Sequence, residues 1–173
     1  MILWRISRHP DLSGEGGLYY SGRWHKSGRF IVYLADSLAG AMLETLVHLE
    51  ITDDAIPLGY FYLRVSVSED VIVVDLPVLH EESESNGKIS RSGIEKIGKD
   101  TWQDDMELTQ SIGDRWLSEG ASALARVPSS IVPHTWNYLL NPAHPDASKV
   151  VITSAEKCKF DERLLVGRRS FAT

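Results

Sequence analysis

The feature that most constrains the fold is residues 30–35 (FIVYLA), an unbroken apolar run that leads directly into a helical pattern with a single acid. A short run of this kind, mixing β-branched and aromatic side chains, reads as a strand buried on both faces. Asp36 or Ser37 is placed to cap the helix that follows. In that helix Leu38, Ala41, Met42, Thr45, Leu46 and Leu49 share one face at helical spacing. Leu43 and Val47 fall on the far side, so the helix is apolar nearly all round and is expected to be buried. Glu44 is its one acid. Burying an unpaired carboxylate costs several kcal/mol, so Glu44 is expected to have a partner or to face a cleft.

The chain of 173 residues fits one domain of ordinary size, able to bury roughly 70% of the surface it exposes when unfolded. Its 43% hydrophobic and 24% charged residues are those of a globular protein. A single cysteine, Cys158, rules out an internal disulfide and suits a reducing compartment. No apolar run approaches a membrane span and the N-terminal residues lack a signal-peptide core, so a cytoplasmic protein is expected. Eighteen basic against 24 acidic residues give a net charge of −6. That balance, with no basic cluster beyond Arg168 and Arg169, argues against nucleic acid as a partner.

Strands are expected at residues 2–6, 59–67, 71–75, 150–153 and 159–165, and a helix at 108–117. The glycine-rich stretch before the central strand is a loop in which the backbone can approach a ligand closely. Its glycine spacing is not GxGxxG and a strand follows it, which excludes a Rossmann fingerprint. Residues 80–105 are polar and read as an excursion, a lid or a docking surface. Pro128 and Pro133 bracket 129–132, which is expected to be extended. The whole reads as a single α+β domain.

Chemistry candidates are few. Scattered histidines and one cysteine give no metal-ligand spacing. Arg23, in the glycine-rich loop, offers bidentate donors to a phosphate or carboxylate, or is a surface arginine beside Trp24. Tyr33 is a core residue with a satisfied hydroxyl or a stacking platform. Arg5, in the first strand, is a solvated arginine or a site residue. Ser129 is not in GxSxG, leaving a turn-capping role or a nucleophile with His134 or His144 as base. Asn137 closes a turn or contacts a ligand.

The segments WRI, SGRWHKSGRFIVYLADSLAGAMLETLVHL and VPSSIVPHTWNYLLNPAHPD, in that order, resemble the RES-domain toxins of bacterial Res–Xre toxin–antitoxin pairs. The resemblance identifies Arg23, Glu44 and Ser129 with the arginine, glutamate and serine that name the family. Tyr33 matches its strand tyrosine and Arg5 its N-terminal arginine. It implies a fold similar to ADP-ribosyltransferases and a toxin that consumes NAD⁺ as substrate, with no cofactor or metal required. Glu44 would stabilise the charge that develops on the ribose, Arg23 with Arg5 would grip phosphate, Tyr33 would wall in the nicotinamide and Ser129 would orient it. The partner implied is an Xre-type antitoxin, and self-association is compatible with such a pair. Water, phosphate or a protein side chain would serve as acceptor. Two rivals are a nucleotide-binding module without turnover and a hydrolase built on Ser129. The sequence departs from the common GGRWN pattern at Ser21 and His25.

Overall fold

The computed structural model describes residues 1–49, 58–76 and 102–164. The apolar run at 30–35 becomes the middle of the sheet. Strand β2 (Val32–Ala35) lies between β1 (Ile2–Ser7) and β6 (Trp136–Leu140) and pairs antiparallel with both. Val32, Leu34 and Ala35 are each no more than 3% exposed, as expected for a strand covered on both faces. Phe30 lies outside the strand and is exposed.

Four more strands complete the sheet among the described residues: β3 (Phe61–Val67), β4 (Val73–Asp75), β5 (Leu124–Pro128) and β7 (Val150–Lys157). Their order is β4-β5-β6-β2-β1-β3-β7, antiparallel throughout except for the β4–β5 pair. One face carries Leu3, Val32, Leu34, Leu63, Val65, Leu124 and Leu140 in a common apolar cluster. The opposite face packs against the helices. Helix α1 (Gly16–Tyr19) is a single turn in the glycine-rich loop. On α2 (Leu38–His48), Ala41 and Leu46 cover Ile6, Ala35 and Phe160. On α3 (Met106–Glu119), Trp116 joins Trp24, Ile31, Trp102, Val127 and Leu139. This is the α+β architecture expected.

Several local expectations change. Ser37, not Asp36, caps α2, accepting from the Gly40 amide at 3.1 Å. Asp36 instead extends the β2–β6 pairing, with Oδ2 accepting from the Trp136 amide at 3.1 Å. Helix α2 is buried on one side only, because Leu43 and Val47 are 42% and 52% exposed. The described part of the strand expected at 159–165, residues 159–164, does not form a strand. Phe160 plugs the cluster under α2, and Asp161 takes both the amide and the guanidinium of Arg163, turning the chain into a 3-10 segment, Glu162–Leu164. Most of the polar 80–105 stretch lies outside the described residues. Its last part is described: Trp102 is buried, and the Asp105 side chain caps α3 by accepting from the Leu108 amide at 2.9 Å.

Gly113 explains how α3 approaches the loop that carries Arg23. A Cβ built there would lie 1.8 Å from the Trp24 carbonyl oxygen, a backbone atom with nowhere to move. Gly113→Ala is therefore expected to lower stability by about 3 kcal/mol, at the upper end of overpacking costs. Urea denaturation of the purified variant checks this, and an unchanged midpoint would contradict the close packing.

Candidate active site

Two clusters form on the helix-bearing face of the sheet. The first is built on Glu44. Its Oε1 accepts from the Ser129 hydroxyl at 2.8 Å and from Asn137 Nδ2 at 2.5 Å. Its Oε2 accepts no hydrogen bond from any described residue. Three elements supply these groups, and strand alternation explains why they meet. Val127 pairs with Asn137, Asn137 with Ala35, and Ala35 with Trp4, so this cross-strand row shares one face. Ser129, two residues beyond Val127, points the same way, and its amide continues the pairing to the Thr135 carbonyl at 3.0 Å.

Ser129 is fully committed here. Its Oγ donates to Glu44 and accepts from the amides of Ile131 at 3.1 Å and Val132 at 3.0 Å. Residues 129–132 therefore turn rather than run extended, and His134 follows with φ at +62°. A nucleophilic serine needs a base on its proton. That proton goes to a carboxylate already held by Asn137. Neither proposed base reaches it: His144 Nδ1 accepts from the Asp146 amide, and His134 sits exposed on the turn. The hydrolase reading of Ser129 is set aside on this geometry.

The second cluster surrounds Arg23. Residues 22–25 form a tight turn closed by the Gly22 amide on the His25 carbonyl at 3.0 Å. Helix α3 holds this turn from outside. Thr109 Oγ1 donates to the Arg23 carbonyl at 2.7 Å and Gln110 Nε2 to the Gly22 carbonyl at 2.9 Å. From inside, the Tyr33 hydroxyl accepts from the Trp24 amide at 3.1 Å and lies 2.8 Å from His25 Nδ1. Burial raises the Tyr33 pKa well above its ordinary value, so the phenol stays neutral. Tyr33 thus braces the loop through its hydroxyl. The Arg23 guanidinium is half-exposed and donates to the Gln103 carbonyl at 2.6 Å. That one acceptor leaves most of its five donors for a ligand.

The two clusters are neighbours. Tyr33 is opposite Leu139 and Ala35 opposite Asn137, so Tyr33 and Asn137 are diagonal partners on the same face, a separation of roughly 7–8 Å. The structure does not bring Arg5 to this group. Arg5 alternates with Trp4 and pairs with Leu63, which places it on the face of Leu3 and Leu63. Its Nη1 is buried without a hydrogen-bond partner. Burial pushes its pKa down against the pull of Asp11, yet a guanidinium stays charged in a protein. A separate depression of about 530 Å³, lined by Leu12, Phe30, Leu140, Pro142 and Ala147 among others, contains none of the site residues. Among the described residues no acidic, histidine or cysteine cluster could hold a metal, and no helix is long and apolar enough to cross a membrane.

Sequence reasoning left Asn137 open and missed Thr109, Gln110 and the bonds of His25. A glycine inside α3 facing a loop was the one visible signal of that docking.

The model of the RES domain family matches residues 2–161, and the chain belongs to that family. The chain is 43% identical over 152 residues to a protein named Toxin Res from Pseudomonas putida, covering 88% of this chain and 92% of the relative. It is 33% identical over 168 residues to the Prs ADP-ribosylating toxin of Sphingobium, covering 94% and 95%. A chain in the crystal structure of the M. tuberculosis MbcT–MbcA toxin–antitoxin complex superposes with a TM-score of 0.63 at 18% identity, covering 91% of this chain and 84% of that one. That likeness establishes the shared fold.

Removing the Ser129 hydroxyl leaves two amides and one Glu44 oxygen short of a partner. Ser129→Ala is expected to cost about 1–3 kcal/mol in thermal or urea unfolding. A serine-directed fluorophosphonate probe is expected to leave the parent unlabelled.

Proposed function

We propose that this chain is the toxin of a toxin–antitoxin pair, that it consumes NAD⁺ by breaking the nicotinamide–ribose bond, and that an Xre-type antitoxin restrains it in the cytoplasm. The observation that carries the reading is the Glu44 carboxylate, one oxygen pinned by two donors and the other open, on the same sheet face as the arginine-bearing loop.

In this reading the C1′–N bond breaks with its electron pair passing to nicotinamide, which leaves as the neutral base. The ribose is left with oxocarbenium character, as in glycoside hydrolysis. Glu44 Oε2 faces that charge and accepts from a ribose hydroxyl. Ser129 and Asn137 hold the carboxylate in place before the charge develops, so no reorganisation is needed at that moment. Arg23 binds the pyrophosphate with the guanidinium donors that Gln103 does not use. Tyr33 walls the cleft while bracing the loop. An acceptor then bonds to C1′ and gives up a proton. Water yields ADP-ribose, phosphate yields ADP-ribose 1″-phosphate, and a side chain yields an ADP-ribosylated protein. The name of the Sphingobium relative favours weighing the last of these, and product analysis separates the three.

A chain that drains NAD⁺ needs a neutralising partner in its own cell. The named toxin relatives and the toxin–antitoxin complex of the structural neighbour support that part of the reading. The net charge of −6 suits a basic segment on the partner.

Glu44→Gln tests the assignment cleanly. The amide keeps an oxygen for Ser129 and Asn137 but loses the charge. The variant is expected to fold normally by circular dichroism and to consume NAD⁺ about 10²–10³-fold more slowly. Parental turnover by the folded variant would remove Glu44 from the mechanism.

A further inference from the structure

His25 is 3% exposed, and both its ring nitrogens are engaged. Nε2 lies 3.0 Å from the Tyr20 carbonyl oxygen and Nδ1 lies 2.8 Å from the Tyr33 hydroxyl. A carbonyl can only accept, so Nε2 carries the proton and Nδ1 of the neutral ring is an acceptor. The Tyr33 hydroxyl must then donate to Nδ1 while its oxygen accepts from the Trp24 amide. One proton arrangement satisfies the whole chain, from the Trp24 amide through Tyr33 and His25 to the Tyr20 carbonyl. It ties the backbone on both sides of Arg23 to the central strand. Room for it is made by Gly22, where a Cβ would stand 2.6 Å from the Tyr33 hydroxyl and 2.8 Å from the His25 ring.

We propose that His25 is a positioning residue that fixes the Arg23 loop through this single tautomer, and that a second proton on its ring releases the loop. The proposal rests on Arg23 contacting substrate, and it deepens that reading by assigning an acid limit to the site.

Protonated Nδ1 becomes a donor and meets the Tyr33 hydroxyl as a competitor. Tyr33 can then no longer donate to His25, and the hydrogen bond that joins the ring to the central strand is lost. The charged group that acts on the ring is Asp114 on α3, while Asp114 and Arg23 both act on its partner Tyr33. Asp114 is itself engaged with the Lys26 amide at 3.2 Å and with Arg29 at 3.8 Å. Burial lowers the His25 pKa, and the Tyr20 carbonyl and Asp114 oppose that shift without reversing it. The folded chain therefore binds this proton less readily than the unfolded chain. Stability falls as pH drops below the unfolded value of 6.5, and the loss is complete below the folded one.

His25→Asn and His25→Leu separate a positioning role from mere packing. The asparagine oxygen can accept from Tyr33 and does not titrate, whereas leucine offers no acceptor. NAD⁺ consumption is measured against pH for the parent and both variants. The parent is expected to lose activity on the acid side of pH 6.5, chiefly through KM. His25→Leu is expected to lose about ten- to a hundredfold at every pH. His25→Asn is expected to recover most of that loss and to lack the acid limb. Parental activity in His25→Leu, or an unchanged acid limb in His25→Asn, overturns the proposal. Nitrogen-15 spectra of the parent imidazole, with hydrogen exchange at the Trp24 amide, read the tautomer and the brace without any substrate. A proton on Nδ1 rather than Nε2 at neutral pH also overturns it, whether or not His25→Leu folds. If the parent leaves NAD⁺ untouched, the proposed function fails while these spectra still decide the role of His25.

Discussion

A carboxylate held against a helix and a sheet is costly unless donors meet it, and here two donors from separate segments meet one oxygen of Glu44. The register of the sheet makes that meeting unavoidable. Asn137 is fixed by its pairing with Ala35 and Val127, and Ser129 by the continuation of β5 beyond Pro128. A one-residue slip of β6 would turn Asn137 to the other face and bring Tyr138 or Trp136 under α2. Asp36 works against such a slip, because its backbone and side chain both bond Trp136. The site thus depends on the β2–β6 pairing more than on any single side chain within it.

The Arg23 loop depends on a different constraint. It has no strand of its own, and α3 enters the chain about eighty residues later to hold it through Thr109, Gln110 and the bare backbone at Gly113. Trp24 anchors the same contact, stacked in tilted fashion 6.2 Å from Trp102 and sharing a cluster with Trp116. The loop is therefore rigid at its backbone while its arginine head stays accessible. Such a division leaves the guanidinium donors available on a backbone that is already ordered.

Much of this was legible in the sequence because its cause is local. The central strand announced itself by an unbroken apolar run, and Glu44 by being the one acid on its helix. Asn137 stayed ambiguous because its partner lies 93 residues away, a relation set by register rather than by pattern. Ser129 was picked out by family resemblance, yet its three bonds belong to Glu44 and to its own turn. The strand expected at 159–165 is not formed over residues 159–164 for a local reason, since Asp161 and Arg163 satisfy one another across a turn. The all-round burial of α2 failed for a global one. Periodicity shows which side chains are apolar, and only tertiary packing decides which of them are covered.

Tyr33 shows how the two constraints combine. Its place on β2 comes from the sheet, and its hydroxyl ends in the loop, so one side chain ties the strand beside Asn137 to the Arg23 loop. A phenylalanine there would keep the ring as a wall but leave the Trp24 amide and His25 Nδ1 without their shared partner. Loss of the ring and loss of the hydroxyl should therefore differ in kind. Losing the ring removes its packing against the Trp24 cluster, whereas losing the hydroxyl loosens only the loop. Because Glu44 is held by Ser129 and Asn137 and not by Tyr33, its orientation survives either change. The Arg23 loop and the Glu44 carboxylate are accordingly supported by separate hydrogen-bond sets, and the sheet is what keeps them at a fixed distance.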